Sequence, residues 1–167
     1  MSEQKPIATA ATAESRAAPA ASGAQGGADF SFSAEVADVF DELQSRSVPL
    51  YAELQRMIGE LAADVVTPGS RVYDLGCSTG TTLLQLDRVV TPDAPFVGID
   101  SSADMLRKCR ENLVRHGCSA RPLELVCADL NQGVHVDNAS LVLMVLTLQF
   151  IRPLNRDRLL ADVYRGL

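Results

Sequence analysis

The sequence predicts an α/β fold: a Rossmann-like, doubly wound and mostly parallel sheet, of which about four strands are present, preceded by two helices. Three observations predict it. Short apolar runs alternate with stretches of helical periodicity from residue 71 onward. The first run, Arg71-Val-Tyr-Asp-Leu75, breaks into a turn bearing Gly76 and Gly80 and then gives way to a helix with Leu83, Leu84 and Leu86. Finally, Asp74, Asp100 and Asp129 stand at the ends of three successive apolar runs, which a parallel sheet would gather at one edge.

Taken in order, residues 1–28 are Ala-rich with Ile7 as the single large aliphatic residue, and they predict a disordered tail that buries too little to offset its ordering entropy. A domain over 29–167 follows. Val36, Val39, Phe40 and Leu43 recur at helical spacing, with Ser33 as N-cap and Glu35 in the first turn. Pro49 ends that helix and opens a second, whose apolar stripe reads Leu50, Leu54, Met57, Ile58, Leu61 and Val65. The turn Thr67-Pro-Gly-Ser70 leads into the first strand.

After the glycine loop and its helix, Phe96-Val-Gly-Ile-Asp100 reads as the second strand. Ser101 and Asp104 have capping-box spacing for the next helix, which buries Met105, Leu106, Cys109 and Leu113 and stops at Gly117. Pro122 to Cys127 gives the third strand, and Leu141 to Leu146, apolar throughout, the fourth. Asn155 is the expected cap of a last helix carrying Leu159, Leu160 and Val163. If strand four lies beside strand one, its outer edge is bare and apolar, a hazard that native sheets avoid. The expectation is therefore that the C-terminal part of the fold is missing from this chain.

The formal charge of -6 disfavours direct nucleic-acid binding, though a local basic patch can survive on an acidic protein. Cys77, Cys109, Cys118 and Cys127 show neither CxxC pairing nor a His partner at zinc spacing, so no metal is expected and the thiols read as reduced packing residues of a cytoplasmic protein. No run reaches membrane-spanning length, so no membrane partner is expected.

Each acid has a role if the ligand is an adenosine derivative. Asp100 can accept both ribose hydroxyls, Asp129 the adenine amino group, and Asp74 can order the loop or accept from an amino-acid ammonium. Gly76 lets the backbone approach the ligand where a Cβ would intrude. Ser78 stands where a pyrophosphate loop favours glycine, which points away from a dinucleotide and towards S-adenosyl-L-methionine.

The segments Val36-Ala-Asp-Val-Phe40, Arg46-Ser-Val-Pro49, Tyr51, Met57-Ile-Gly59, Val72-Tyr-Asp-Leu-Gly-Cys-Ser78, Ile99-Asp100 and Thr147-Leu-Gln-Phe150 together resemble the carboxy-S-adenosyl-L-methionine synthase family, a class I methyltransferase fold. The resemblance covers Phe32 to Gly166. It implies a homodimer that makes a carboxylated cofactor from S-adenosyl-L-methionine and prephenate, used afterwards in wobble-uridine modification of tRNA. By position it implies cofactor contacts at Tyr51, Gly76, Cys77, Ser78, Asp100, Ser101, Asp129 and Leu130; it leaves the catalytic residues unknown. Two positions depart from the family pattern: Leu50 stands for a common glycine and Val145 for a cofactor-contacting asparagine. The second departure keeps open an ordinary methyltransferase, and the missing C-terminal part keeps open a non-catalytic cofactor-binding chain.

Overall fold

The computed structural model describes residues 34–118 and 121–167; the expectations for the 1–28 tail and for the cap Ser33 fall outside them. Two helices, α1 (Ala34–Ser47) and α2 (Tyr51–Val65), precede β1 (Arg71–Leu75), α3 (Thr81–Asp87), β2 (Phe96–Asp100), α4 (Ala103–Arg115), β3 (Leu123–Cys127), β4 (Ala139–Leu143) and α5 (Pro153–Gly166). Short 3-10 turns at Leu130–Gln132 and Leu148–Phe150 lead out of β3 and β4. The strands run in the order β3-β2-β1-β4, and every pairing is parallel.

Alternation along the strands divides the core into two layers. Val72 and Phe96 face Leu83, Leu86, Cys109 and Leu113 on one side of the sheet. Tyr73, Leu75, Val97 and Ile99 face Leu159 and Val163 of α5 on the other. Leu75, Leu83, Leu86 and Leu159 have no exposed surface, and burying each favours folding by about 1.5–3 kcal/mol. This is the doubly wound arrangement the sequence predicts, and it sends the carboxyl ends of β1, β2 and β3 to one edge.

Five local expectations are corrected. The buried face of α2 is Tyr51, Gln55, Gly59 and Ala62, while Leu50, Met57, Leu61 and Val65 are exposed. The reason is steric: a Cβ on Gly59 would come within 3.3 Å of Gln85 Nε2, so the small-residue face is the one that can approach α3. The α4 cap is Ser102, whose hydroxyl accepts from the Met105 N–H at 3.2 Å, rather than Ser101. Helix α5 opens on Pro153, whose fixed φ suits a first helical position, so Asn155 lies inside the helix. Strand β4 ends at Leu143 instead of Leu146, because Leu146 takes a left-handed φ of 57°. As the sheet's outer strand on that side, β4 is half-buried where full burial was expected.

The amino ends of the strands are tied by a buried cation. Arg121, just before β3, pairs with Asp87 at 2.8 Å and donates to the carbonyls of Thr91 and Ala94 at 2.7 Å and of Val90 at 3.2 Å. Its guanidinium also lies 4.1 Å from the centre of the Phe96 ring.

Candidate functional site

At the opposite, carboxyl edge, β1 runs into a loop whose peptide groups are fixed by β2. The amides of Gly76 and Cys77 both donate to the Ile99 carbonyl, at 2.7 and 3.0 Å. The Ser78 N–H donates to Asp100 Oδ2 and the Ser102 N–H to Asp100 Oδ1, each at 2.9 Å. Asp100 thus staples the loop after β1 to the start of α4. Burial raises its pKa, against the lowering effect of the amides of Ser102, Ser78 and Ser101. Each carboxylate oxygen retains acceptor capacity for a further donor.

Left-handed geometry shapes the loop, with φ of 82° at Gly76, 50° at Ser78 and 85° at Gly80. The structure adds a neighbour to Gly76. A Cβ on Gly76 would collide with the side chain of Thr147, so the glycine is required by the turn after β4 pressing on the loop. Cys77 is buried and faces the core; contact with Cys109 and burial push its thiol pKa up, and its place in the site is that of a backbone.

Asp74 is 1% exposed. Burial, then the charge of Asp100, pushes its pKa up to about 7, and among the described residues its carboxyl has no hydrogen-bond donor. A buried carboxyl without a cation is the least stable form that group can take. Above it, Tyr51 buries its ring at the start of α2, and its hydroxyl accepts from Gln55 Nε2 at 3.0 Å. The same Nε2 reaches Thr82 Oγ1 at 3.1 Å, and Gln55 Oε1 is left buried without a partner. Burial raises the Tyr51 pKa, and Asp41 and Asp74 add to it, which puts the phenol in the field of both acids.

Helix α1 closes over the loop through Asp41, which accepts from the hydroxyls of Thr79 and, at 3.1 Å, Thr81. Asn112 Nδ2 donates to the Thr79 carbonyl at 3.0 Å, and Lys108 pairs with Asp38 at 2.8 Å, so α4 holds both the loop and α1. On the far side, Asp129 follows β3 and is exposed; its Oδ1 accepts from the Asn131 N–H at 2.8 Å, which lowers its pKa. Leu130 beside it is buried, and Ser101 is exposed. Val145 sits half-buried between β4 and Thr147.

The structure therefore brings Asp74, Asp100 and the Gly76–Ser78 loop into one unit with Tyr51 nearby, and leaves Asp129 and Ser101 on its open rim. Sequence reasoning missed Asp41, Gln55 and Thr147. Gln55 lies four residues after Tyr51 on the Gly59 and Ala62 face, so reading that small-residue face as the buried one would have found it. Thr147 opens the Thr147-Leu-Gln-Phe150 segment that carries the resemblance, without a role attached to it, and Asp41 carried no local signal. Chemically, the edge suits a ligand that brings a positive charge to Asp74 and hydroxyl donors to Asp100.

A family model described as a methyltransferase domain matches residues 72–167. Carboxy-S-adenosyl-L-methionine synthase from Methylococcus capsulatus is 56% identical over 140 residues, 83% of this chain and 57% of that protein. The enzyme of the same name from Shewanella pealeana is 42% identical over the same shares. The chain thus spans a little over half the length of these relatives. Among solved structures, magnesium protoporphyrin IX methyltransferase from Synechocystis, with bound S-adenosyl-homocysteine, matches with a TM-score of 0.58 at 17% identity, over 79% of this chain and 66% of that one. A SAM-dependent methyltransferase from Aquifex aeolicus matches with a TM-score of 0.58 at 20% identity, over 79% and 67%.

Proposed function

Because this chain belongs to the methyltransferase-domain family, we propose that it holds S-adenosyl-L-methionine at the carboxyl edge of its sheet and works as a carboxy-S-adenosyl-L-methionine synthase-like transferase, with prephenate as second substrate. The single observation that carries the cofactor assignment is the pairing of a buried, cation-free Asp74 with an Asp100 that already fixes the glycine loop. The choice of reaction rests on the 56% identity to the Methylococcus synthase.

In this reading Asp100 accepts the ribose hydroxyls with its remaining lone pairs while keeping the amides of Ser78 and Ser102. Asp129, Leu130 and Ser101 line the adenine end. Tyr51 and Asp74 receive the amino-acid end, where a positive charge relieves the cost of ionising Asp74 in a buried place. Gly76, Cys77 and Ser78 supply backbone. When bound, the cofactor supplies a methyl group activated by a sulfonium. The chain's own part is to orient it and shield it from water, and no proton-transfer residue is assigned. A homodimer, a cytoplasmic location and use of the product in wobble-uridine modification of tRNA, without direct tRNA contact by this chain, complete the proposal by family resemblance.

Val145 favours a second reading, an ordinary methyltransferase, since valine cannot make an amide's hydrogen bonds. Incubating the chain with S-adenosyl-L-methionine and prephenate, then resolving the products by mass spectrometry, separates the two. Carboxylated cofactor supports the synthase. Cofactor that binds, stays uncarboxylated and loses its methyl to an added acceptor supports the second reading. No binding at all removes both.

A further inference from the structure

Strand β3 is the outer strand on the side of the sheet away from β4, and α4 overhangs it. Between them lies an open groove of about 740 Å³, floored by Ala103, Leu106, Val114 and Leu125 and rimmed by Arg107, Arg110 and Arg115 with Glu111. Val114 is 67% exposed and leaves apolar surface open in this groove.

The charges on the rim are unequal. Arg107 is taken by Glu111 at 2.8 Å and Asp104 at 4.0 Å. Arg110 and Arg115 form no ion pair among the described residues, and both are exposed. On a chain whose net charge is -6, this groove has two uncommitted cations beside an apolar floor.

The backbone adds direction. The Pro122 carbonyl accepts from Phe96 N–H and the Ala128 N–H donates to Asp100 O, each at 2.9 Å, so even-numbered residues of β3 face β2. By the alternation of a strand, Leu123, Leu125 and Cys127 turn their N–H and C=O groups to the open edge. Those groups are a template for one more strand.

We propose that this edge is a docking site for an extended acidic segment of a partner protein, which adds as a strand to β3, sets apolar side chains over Val114 and Leu125, and aims carboxylates at Arg110 and Arg115. Strand addition draws affinity from main-chain bonds and specificity from alternate side chains, which is the pattern offered here. Nucleic acid fits less well, because no aromatic ring lines the groove to stack a base.

The test uses the full chain and a fluorescein-labelled, end-capped short peptide of alternating Glu and Val, followed by anisotropy and by amide hydrogen exchange. Saturable binding that protects the Leu125 and Cys127 amides is expected. The double variant Arg110→Glu, Arg115→Glu should weaken it about tenfold or more, while Arg46→Glu on α1 leaves it unchanged. Because the exchanged arginines are exposed, an unaltered circular dichroism spectrum is expected of the double variant; Arg110→Gln alone, with a smaller loss, serves if it is altered. Equal binding of a Lys and Val peptide, binding without protection of β3, or displacement by oligouridylate would each overturn the proposal, as would no binding.

Discussion

The two ends of the sheet bury opposite charges in opposite ways. At the amino end Arg121 lies inside the protein with every direction of its guanidinium answered, by Asp87, by three carbonyls and by the face of Phe96. At the carboxyl end Asp74 is as deeply buried, yet it meets a like charge in Asp100 and no donor among the described residues. Most of the backbone strain lies at that end too, with left-handed Leu50, Ser78 and Leu146 against Asn138 alone at the amino end, among the described non-glycine residues. The same fold thus contains one buried ion placed for stability and one buried acid that ionises only at a cost. A costly buried charge at the end of a parallel sheet belongs where a ligand completes the set of partners.

The comparison breaks first at Arg121. Arg121→Met should remove about 3–5 kcal/mol of stability in urea unfolding, since Asp87 and three carbonyls lose their buried partner. It should leave cofactor affinity within a factor of about two, because the site lies at the other edge. Loss of binding in a folded Arg121→Met protein would mean the two ends are coupled.

Asp74→Asn should act in the other direction. The unfolded carboxyl ionises near 3.8, the ordinary value for aspartate, whereas the native one keeps its proton up to about 7. Folding therefore takes up a proton in that window, and the native state loses stability as pH rises through it. The variant escapes this loss, so it should be more stable than the parent at pH 8, by on the order of 2–4 kcal/mol, and little different at pH 4. A cationic ligand favours the ionised form, so calorimetry should show proton release on cofactor binding near neutral pH in the parent and none in the variant.

Asp100→Ala should weaken cofactor binding by about 1.5–3 kcal/mol, the range for hydrogen bonds to a charged group. Unchanged affinity would remove Asp100 from the ribose role and leave it the loop staple alone. The smallest effect is expected at Leu50. It is 79% exposed with φ 57°, and Leu50→Gly should stabilise the protein by about 0.5–1 kcal/mol by relieving that strain. A melting temperature that falls instead would show that the leucine side chain contributes more than its backbone geometry costs.

These contrasts also mark what the sequence could and could not convey. The carboxyl ends of β1, β2 and β3, the glycine loop and the three acids were legible because short apolar runs and turn residues are local signals. The path of α2 was not. Hydrophobicity favoured the Leu54, Met57 and Leu61 face, and the structure buried the face with Gly59 and Ala62 because close approach to α3 requires small residues. At Gly76 the sequence conveyed the need for a missing Cβ but not the neighbour Thr147, some seventy residues downstream, with which a Cβ would collide. Arg121 gave no warning, since its partners come from the end of α3 and the turn before β2.

Helix α1 closes the account. Among the described residues Ala37 is its one completely buried side chain, and Asp38 ties the helix to Lys108 and Asp41 to Thr79 and Thr81. A helix held chiefly by a few partly exposed polar contacts, with little apolar burial, costs less to release than the sheet, so α1 belongs to the part of the molecule that opens locally first. Its fastening point is the loop itself. Order in the loop and residence of α1 are thus one cooperative unit, and amide exchange along α1 becomes a clock for how often the cofactor cradle stands open.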